Sequence, residues 1–446
     1  MNGGRPARST WILILLLAVG LALRLVLIHA RPDGALEHGA DEDEYLAIAR
    51  SVAAGHGFAL NGQLTAYRDM LFPVVAGLMM RVLGESPLPV LYLDALLGCA
   101  TGFLIFLLGK KRFGEKVGLV MAGGWLLYTG AAIYPALFFT ESLCVFWWVT
   151  ALVLYDRLEE NGFRWSTALL MGIVCGLAML TRVAAVALPL SLIVYIAFIR
   201  FETAWRVRWR AAGLVMAGTL VVVLPWMARN ARAVGAFTLN TSGGINLFIG
   251  NNARANGSYK FDTEHEAQLP DATAGEAATS RAAKALALDY LREHPRETVA
   301  LWGRKFAFLW ATDATQWIHY LWESGWKSVA ARLRQVPVWM LLFLAVPYMM
   351  LVGCGVSGFY LVRFFPARGL FLLQAFFVHA AVFATFGTPR FHLPLMPALI
   401  VGGGALFRPH VWDSAPLWRR LFLLFTLGLF AGLWLFEASA IAGYAA

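Results

Sequence analysis

Residues 11–30 read WILILLLAVGLALRLVLIHA, and residues 41–45 read DEDEY. The first stretch has the length of a membrane-spanning helix, because about 20 apolar residues cross the hydrocarbon core of a bilayer. The second stretch carries four consecutive carboxylates, which cannot lie in lipid and must lie at a membrane surface or in a water-filled cavity. Together the two stretches predict a membrane helix followed by an acidic site at one face of the bilayer.

The rest of the chain has the composition of a membrane protein. Of its 446 residues, 59% are hydrophobic and 14% are charged, whereas a soluble domain is near half apolar and a quarter charged. The net charge of +10 does not indicate nucleic-acid binding, because the basic residues fall in short clusters between apolar stretches. The four cysteines lie inside apolar stretches without metal-ligand spacing, so we expect neither disulfides nor a zinc site.

The apolar stretches predict an all-α polytopic fold with about eleven transmembrane helices. The predicted spans are residues 11–30, 88–109, 117–133, 140–156, 166–181, 183–199, 211–228, 336–362, 369–387, 392–407 and 420–440. The spans 166–181 and 183–199 are short and nearly contiguous, so one kinked or re-entrant element is an alternative. The excess of Arg over Lys and the abundance of Ala and Gly are typical of a GC-rich bacterial genome, which predicts a bacterial inner membrane.

Basic loops predict the orientation of these helices, because Lys and Arg are retained on the cytoplasmic side. With the N-terminus in the cytoplasm, the basic loops fall on that same side, and the short opposite loops hold little beyond Arg182 and Arg390. The chain is then a single integral membrane domain, residues 1–446, with long extracytoplasmic loops at residues 31–87 and 229–335.

Both long loops contain sequence patterns of short helices. In the first loop, residues 41–54 form an amphipathic pattern with Tyr45, Leu46 and Ile48 on one face. Residues 70–84 are apolar but too short to span, so they predict an interfacial helix. In the second loop, a helix is predicted over residues 274–294.

Charged residues on the predicted outer side could carry chemistry. Neighbouring carboxylates shift each other's pKa, so one acid of the run could act as a general base while another stays ionised. Alternatively, the run is only a solvated helix end. Glu141 begins an apolar helix and either faces a wet interior or caps the helix together with Thr140. The outer arginines could bind phosphate bidentately, although each alone could be an interface anchor.

Several stretches occur in an order that resembles the GT-C superfamily of polyprenyl-phosphate-sugar-dependent glycosyltransferases. Protein O-mannosyltransferases and lipid A aminoarabinose transferases are the most similar group. The matching stretches are Asp41-Glu42-Asp43-Glu44-Tyr45, Tyr67-Arg68-Asp69-Met70-Leu71-Phe72-Pro73, Thr140-Glu141, Leu180-Thr181-Arg182, Pro225-Trp226 with Arg229-Asn230, Gly250-Asn251-Asn252 and Arg390-Phe391-His392-Leu393-Pro394. The family usually has Pro where Asp69 or Met70 stands.

The resemblance implies a GT-C-like helical bundle with extracytoplasmic interfacial helices. It implies transfer of a sugar from a polyprenyl-phosphate donor, such as an undecaprenyl-phosphate-sugar, to a lipid, glycan or protein acceptor. We expect an inverting displacement on the extracytoplasmic face, in contact with membrane lipids.

The resemblance also implies roles for individual residues. Asp41 is the expected catalytic carboxylate, with Glu42 beside it. Asp43, Glu44 and Glu141 are alternative acidic partners. The donor phosphate is expected to bind Arg68, Arg229 and Arg390, with Arg182, Tyr67 and Lys305 as further candidates. Some family members bind a divalent metal ion, and Asp41 and Glu42 would be its ligands here.

A transporter or flippase of a lipid-linked anion is the alternative from another functional class. Transporters place charges and broken helices near the bilayer midplane, often in repeated halves. This sequence shows no internal repeat, and its unusual polar residues cluster at one predicted face. A scaffold in an envelope complex, or a GT-C fold that has lost activity, is a third alternative, since fold similarity does not establish function. A requirement for Asp41 in turnover distinguishes a transferase from both.

Overall fold

A computed structural model of the chain describes residues 8–31, 40–260, 263–270, 275–313, 317, 338–362, 368–407 and 415–445. Parts of both predicted long loops, including residues 32–39 and 318–335, lie outside the described residues. The described part is helical apart from one short hairpin, Ala59–Leu60 paired with Gln63–Leu64. This agrees with the predicted all-α fold, because a helix satisfies its own backbone hydrogen bonds in lipid.

The N-terminal half of the protein contains ten helices among the described residues. They are α1 (Arg8–His29), α2 (Ala40–Ala53), α3 (Leu71–Leu83), α4 (Leu88–Phe113), α5 (Glu115–Leu126), α6 (Thr129–Ala132), α7 (Glu141–Glu160), α8 (Trp165–Thr181), α9 (Ala187–Val194) and α10 (Trp205–Val234). Short 3-10 turns, Tyr134–Ala136 and Val183–Val186, follow α6 and precede α9. A π-helical turn, Tyr195–Ile199, ends α9.

The C-terminal half continues with eight more helices in the described part. They are α11 (Ser242–Gly250), α12 (Thr263–Glu266), α13 (Glu276–Glu293), α14 (Pro295–Leu309), α15 (Val338–Leu361), α16 (Arg368–Ala384), α17 (Met396–Ala405) and α18 (Leu417–Ala445). A 3-10 turn, Pro389–Leu395, leads directly into α17.

The protein is a multi-pass membrane protein. Within the described residues, five helices are long and apolar enough to cross a membrane: Arg8–His29, Leu88–Phe113, Trp205–Val234, Leu342–Leu361 and Leu417–Ser439. A sixth span results if Glu115–Leu126 and Thr129–Ala136, which meet at 59°, are counted together. The predicted spans 166–181, 183–199 and 369–387 coincide with shorter apolar helices. The predicted pair at 166–181 and 183–199 is broken at Arg182, where the backbone is extended.

A buried arginine fixes the bend that follows α5. Arg24 on α1 is fully buried, and its Nη1 donates to the carbonyl oxygens of Gly20 and Leu126 at 2.9 and 3.0 Å. Leu126 ends α5, so its carbonyl has no partner further along a continuous helix. Arg24 therefore satisfies the carbonyl group at this helix end.

Close helix packing in the bundle depends on small residues. At the crossing of α8 and α10, a Cβ on Gly172 would lie 2.3 Å from the carbonyl oxygen of Val215. At the crossing of α15 and α17, a Cβ on Gly358 would lie 1.8 Å from the carbonyl oxygen of Gly402. Glycine at such crossings lets two backbones approach closely, which strengthens van der Waals packing in lipid.

The acidic run is positioned by the packing of α2 on α3. Tyr45, Leu46 and Ile48 are buried on one face of α2, as the amphipathic pattern predicted. The Tyr45 ring contacts the edge of Phe72 on α3, with 6.0 Å between ring centroids. Phe72 in turn packs against Phe138, which precedes α7. These contacts place the polar face of α2 beside the start of α7.

Candidate active site

The helical spacing of α2 separates the four acids of the run. Asp41 and Glu44 lie three positions apart, and residues at this spacing share a face of a helix. Both are half-buried, whereas Asp43 is exposed and Glu42 is buried with 2% of its surface accessible. The four acids are therefore not equivalent, and Asp41 and Glu44 point to the same neighbour.

That neighbour is Arg68, from the segment between the hairpin and α3. Its Nη1 forms an ion pair with Asp41 Oδ1 at 2.6 Å, and its Nε is paired with Glu44. The guanidinium also lies near two aromatic rings, 5.7 Å from the centroid of Tyr45 and 5.1 Å from that of Tyr67. Tyr67 thus contributes an aromatic wall beside Arg68.

Arg390, from the 3-10 turn before α17, joins Asp41 to Glu141. Its Nη1 donates to Asp41 Oδ2 and its Nε donates to Glu141 Oε1, both at 2.7 Å. The guanidinium lies over the ring of Phe139, 4.5 Å from its centroid. One planar arginine thus connects two carboxylates from distant parts of the sequence.

Arg182 completes the arrangement at the helix break between α8 and α9. Its Nη1 is paired with Glu141 and donates to Thr140 Oγ1 at 3.1 Å. Thr140 makes no side-chain cap hydrogen bond to α7, so the alternative role of Thr140 and Glu141 as a helix cap is not observed. We call the six alternating charges the ion-pair chain. In order they are Glu44, Arg68, Asp41, Arg390, Glu141 and Arg182.

Two carboxylates of this chain, Asp41 and Glu44, differ in basicity. Burial disfavours the charged form of Asp41, but Arg390 and Arg68 outweigh burial and hold the pKa of Asp41 well below its usual range. Burial raises the pKa of Glu44 despite its pairing with Arg68. In this arrangement Asp41 is an ionised carboxylate, with one oxygen that accepts a hydrogen bond from Arg390 and the other ion-paired with Arg68.

Asp69 is a candidate site residue that the sequence analysis did not select. Its Oδ1 accepts hydrogen bonds from Asn240 Nδ2 at 2.8 Å and from the Val183 amide at 3.4 Å. Burial raises its pKa from 3.8 to about 6, while Arg182 and Arg68 act in the opposite direction. The available signal was the resemblance itself, since an acid stands where the family usually has proline.

Arg229, predicted to bind phosphate, lies in a different environment from Arg68 and Arg390. Its Nη1 and Nη2 donate to the main-chain carbonyl oxygens of Thr65 and Phe58 at 2.5 and 3.0 Å. Its guanidinium lies 4.8 Å from the ring centroid of Trp226. Two of the three predicted phosphate ligands therefore meet at Asp41, and Arg229 is engaged with the backbone that precedes Arg68.

Lys305 is also placed outside the ion-pair chain. It is fully buried, and its Nζ donates to Asn251 Oδ1 at 3.0 Å and to the Phe383 carbonyl at 2.8 Å. Burial lowers its pKa to about 8. Lys305 and the Gly250-Asn251-Asn252 motif thus connect α14, α11 and α16.

The donor set does not fit the divalent metal ion that the resemblance implied. Among the residues that the structure describes, no group of three His, Cys, Asp or Glu side chains is placed to hold a metal ion. Asp41, one of the two expected ligands, has an arginine on each oxygen. The chemistry below is therefore derived without a metal.

Residues 69–228 match the sequence model of the family described as dolichyl-phosphate-mannose-protein mannosyltransferase. The structure is similar to ArnT from Cupriavidus metallidurans bound to undecaprenyl phosphate, with a TM-score of 0.54 and 16% sequence identity over 96% of this chain. The chain spans 64% of the length of that protein. No curated protein matches the sequence.

A weaker likeness is to the archaeal oligosaccharyltransferase AglB from Archaeoglobus fulgidus, in complex with an inhibitory peptide and a dolichol-phosphate. Its TM-score is 0.48 with 13% identity, covering 97% of this chain and 56% of that one. The family match and the similarity to ArnT confirm the resemblance to the GT-C superfamily and the predicted GT-C-like fold.

Proposed function

We propose that this protein is an integral membrane glycosyltransferase. It moves a sugar from a polyprenyl-phosphate donor to an acceptor hydroxyl of a lipid, glycan or protein. Support comes from the family match of residues 69–228 and from the shared fold with ArnT, whose structure holds undecaprenyl phosphate. The observation that carries the proposal is the placement of Asp41 between Arg68 and Arg390.

In this placement, the proposed base Asp41 is paired with the same guanidinium groups that would bind the donor phosphate. Phosphate can therefore replace Asp41 as their partner. A donor phosphate is an anion that arginine binds in the same bidentate way as a carboxylate. When phosphate takes the guanidinium groups of Arg68 and Arg390, Asp41 loses the partners that depress its pKa. Asp41 then becomes more basic at the moment when the donor is bound, which suits it to accept a proton.

The reaction is a single displacement with inversion at the anomeric carbon. The acceptor oxygen forms a bond to that carbon as the bond from carbon to phosphate oxygen breaks, and the electron pair leaves with the phosphate. The acceptor proton passes to Asp41. Arg68 and Arg390 stabilise the charge on the departing polyprenyl phosphate, so no separate general acid is needed.

The proposed site faces the extracytoplasmic side of a bacterial inner membrane. The one-sided distribution of basic loops supports this orientation, with residues 31–87 and 229–335 outside. Exposed tryptophans near the basic helix ends are typical of a membrane interface and support the membrane placement of these helices. They are Trp11, Trp165, Trp205 and Trp418.

The test uses the full-length protein reconstituted in vesicles with a polyprenyl-phosphate-linked sugar. Release of polyprenyl phosphate that depends on an acceptor supports the transferase. Movement of intact donor between leaflets without bond cleavage would support the flippase instead and contradict the proposal. Mass spectrometry of envelope lipids and glycoproteins from a deletion strain identifies the sugar and the acceptor, because the missing glycoform reveals both.

A further inference from the structure

The segment that carries Arg68 is fixed by side chains from elsewhere in the protein. Thr65 and Ala66 are buried, with 4% and 0% of their surface accessible. They lie in neither a helix nor a strand, although buried backbone groups need hydrogen-bond partners. Those partners determine the conformation of the segment, and Arg68 follows only two residues later.

Glu276, the first residue of α13, binds this segment with both carboxylate oxygens. Its Oε1 accepts a hydrogen bond from the Ala66 amide, and its Oε2 accepts one from Thr65 Oγ1, both at 2.6 Å. The same Thr65 hydroxyl accepts a hydrogen bond from the Tyr67 amide at 2.9 Å. One carboxylate therefore orders the three residues that precede Arg68.

The opposite side of the segment is held by Arg229 and by the loop before α11. Arg229 donates to the carbonyl oxygen of Thr65, and the Thr241 amide donates to the carbonyl oxygen of Ala66 at 2.9 Å. Arg229 is itself anchored on Phe58 and Trp226. The backbone groups of Thr65 and Ala66 thus contact Arg229 of α10, Thr241 and Glu276.

We propose that Glu276 and Arg229 are positioning residues that hold Arg68 against Asp41. This rests on the proposed function, in which Arg68 binds the donor phosphate. Glu276 and Arg229 do not touch the reacting atoms in this assignment, and their effect on the reaction passes through Arg68. In this proposal Arg229 binds main-chain carbonyl oxygens and does not bind the donor phosphate, which was the role expected from the sequence.

A double-mutant cycle between Glu276 and Arg68 tests the assignment in the reconstituted protein. Because misplacing a catalytic group by about 1 Å can cost roughly 100-fold, Glu276→Ala should lower kcat about 10- to 100-fold. In an Arg68→Gln background, Glu276→Ala should change kcat less than about twofold, because Glu276 acts through Arg68 and that arginine is already replaced. Equal, multiplicative losses in both backgrounds would overturn the proposal.

Conservative variants separate positioning from general damage to the fold. Glu276→Gln keeps an oxygen for the Ala66 amide and a polar group beside Thr65, and it should stay within about fivefold of wild type, because it weakens the two charge-assisted hydrogen bonds without removing polar contact. Thr65→Val removes one of the two bonds and should give an intermediate loss. Glu293→Ala, at the exposed opposite end of α13, is the matched control and should be neutral. A Glu276→Gln variant as impaired as Glu276→Ala would contradict the assignment.

Hydrogen exchange of the peptide covering residues 65–68 gives a readout independent of catalysis. Glu276→Ala should accelerate exchange of the Ala66 amide, and Glu293→Ala should not. Unchanged exchange in Glu276→Ala overturns the inference even if the wild-type protein transfers sugar. Accelerated exchange in a protein without any transferase activity would support the structural contact and reject the proposed function, so the two failures are distinguishable.

Discussion

Asp41 and Arg390 lie 349 positions apart in the sequence, yet they form a hydrogen-bonded ion pair of 2.7 Å. Asp41 lies in the first turn of α2, near the N-terminus, and Arg390 lies in the 3-10 turn before α17. The candidate active site is therefore complete only when the first loop and the C-terminal helices pack together. Since residues 69–228 contain neither partner, the family-matching region alone does not form the site.

Replacing Asp41 by asparagine should separate donor binding from turnover. Asp41→Asn keeps the shape of the side chain and removes the base, so kcat should fall at least about 100-fold. Binding of polyprenyl-phosphate donor, measured by equilibrium titration, should be unchanged or tighter because a competing carboxylate charge is gone. Asp43→Asn, on the exposed side of α2, is the control and should remain active. Normal turnover in Asp41→Asn with an inactive Asp43→Asn or Glu44→Gln would assign the base to another acid.

Replacing Arg390 by lysine should weaken both donor binding and turnover. Lysine is a single point charge and cannot reproduce the two contacts that Arg390 makes through Nε and Nη1. The loss of one charged hydrogen bond predicts a decrease of about 10- to 150-fold in kcat/KM. Alanine is avoided because leaving a buried charge unpaired costs about 3–5 kcal/mol and endangers folding. Arg232→Lys, on the exposed end of α10, should be neutral, and an equally neutral Arg390→Lys would exclude a bidentate role.

The pKa of Asp69 predicts a pH-dependent difference in stability between wild type and Asp69→Asn. Because the folded pKa is raised from 3.8 to about 6, the folded protein binds this proton more tightly than the unfolded chain does. The stability that Asp69 contributes is therefore full below about pH 3.8 and falls as pH rises to about 6. Asparagine does not titrate, so the Tm of Asp69→Asn should rise relative to wild type over this range and then remain at a constant difference.

Thermal unfolding in detergent at several pH values measures this effect. A Tm difference between Asp69→Asn and wild type that does not vary with pH would show that Asp69 has no raised pKa.

Reporter fusions test the proposed membrane orientation. Gly62, at the exposed tip of the hairpin, and Gly275, just before α13, both have positive φ angles in surface turns. Alkaline phosphatase inserted at either position should be active, because that enzyme folds only outside the cytoplasm. A fusion at Gly114, between α4 and α5, should be inactive. Activity confined to Gly114 would place the site on the cytoplasmic side.

Much of the fold could be predicted from the sequence, because the bilayer fixes the length and polarity of a spanning segment. The amphipathic pattern of residues 41–54 likewise predicted the buried face of α2, since a helix repeats every 3.6 residues. The extended backbone at Arg182 was indicated only by the short interval between two apolar stretches. Local patterns were sufficient wherever the determining interactions were local.

The partners of individual charges could not be predicted in the same way. Arginine is charged in almost any environment, so the sequence did not show that Arg229 donates to carbonyl oxygens while Arg390 pairs with Asp41. These pairings depend on contacts across hundreds of residues. Glu276 had no distinguishing local pattern, because its role arises from the tertiary position of Thr65 and Ala66.

The ion-pair chain contains three carboxylates and three guanidinium groups, so its charges largely cancel beyond the immediate neighbourhood. Free phosphate or a soluble sugar nucleotide in the aqueous phase therefore gains little long-range attraction and must compete with internal ion pairs on arrival. A phosphate carried by an isoprenoid is confined to the plane of the bilayer, where its effective concentration near the cluster is much higher. Discrimination against water-soluble anions then follows from how the substrate is delivered, before any contact with its lipid tail.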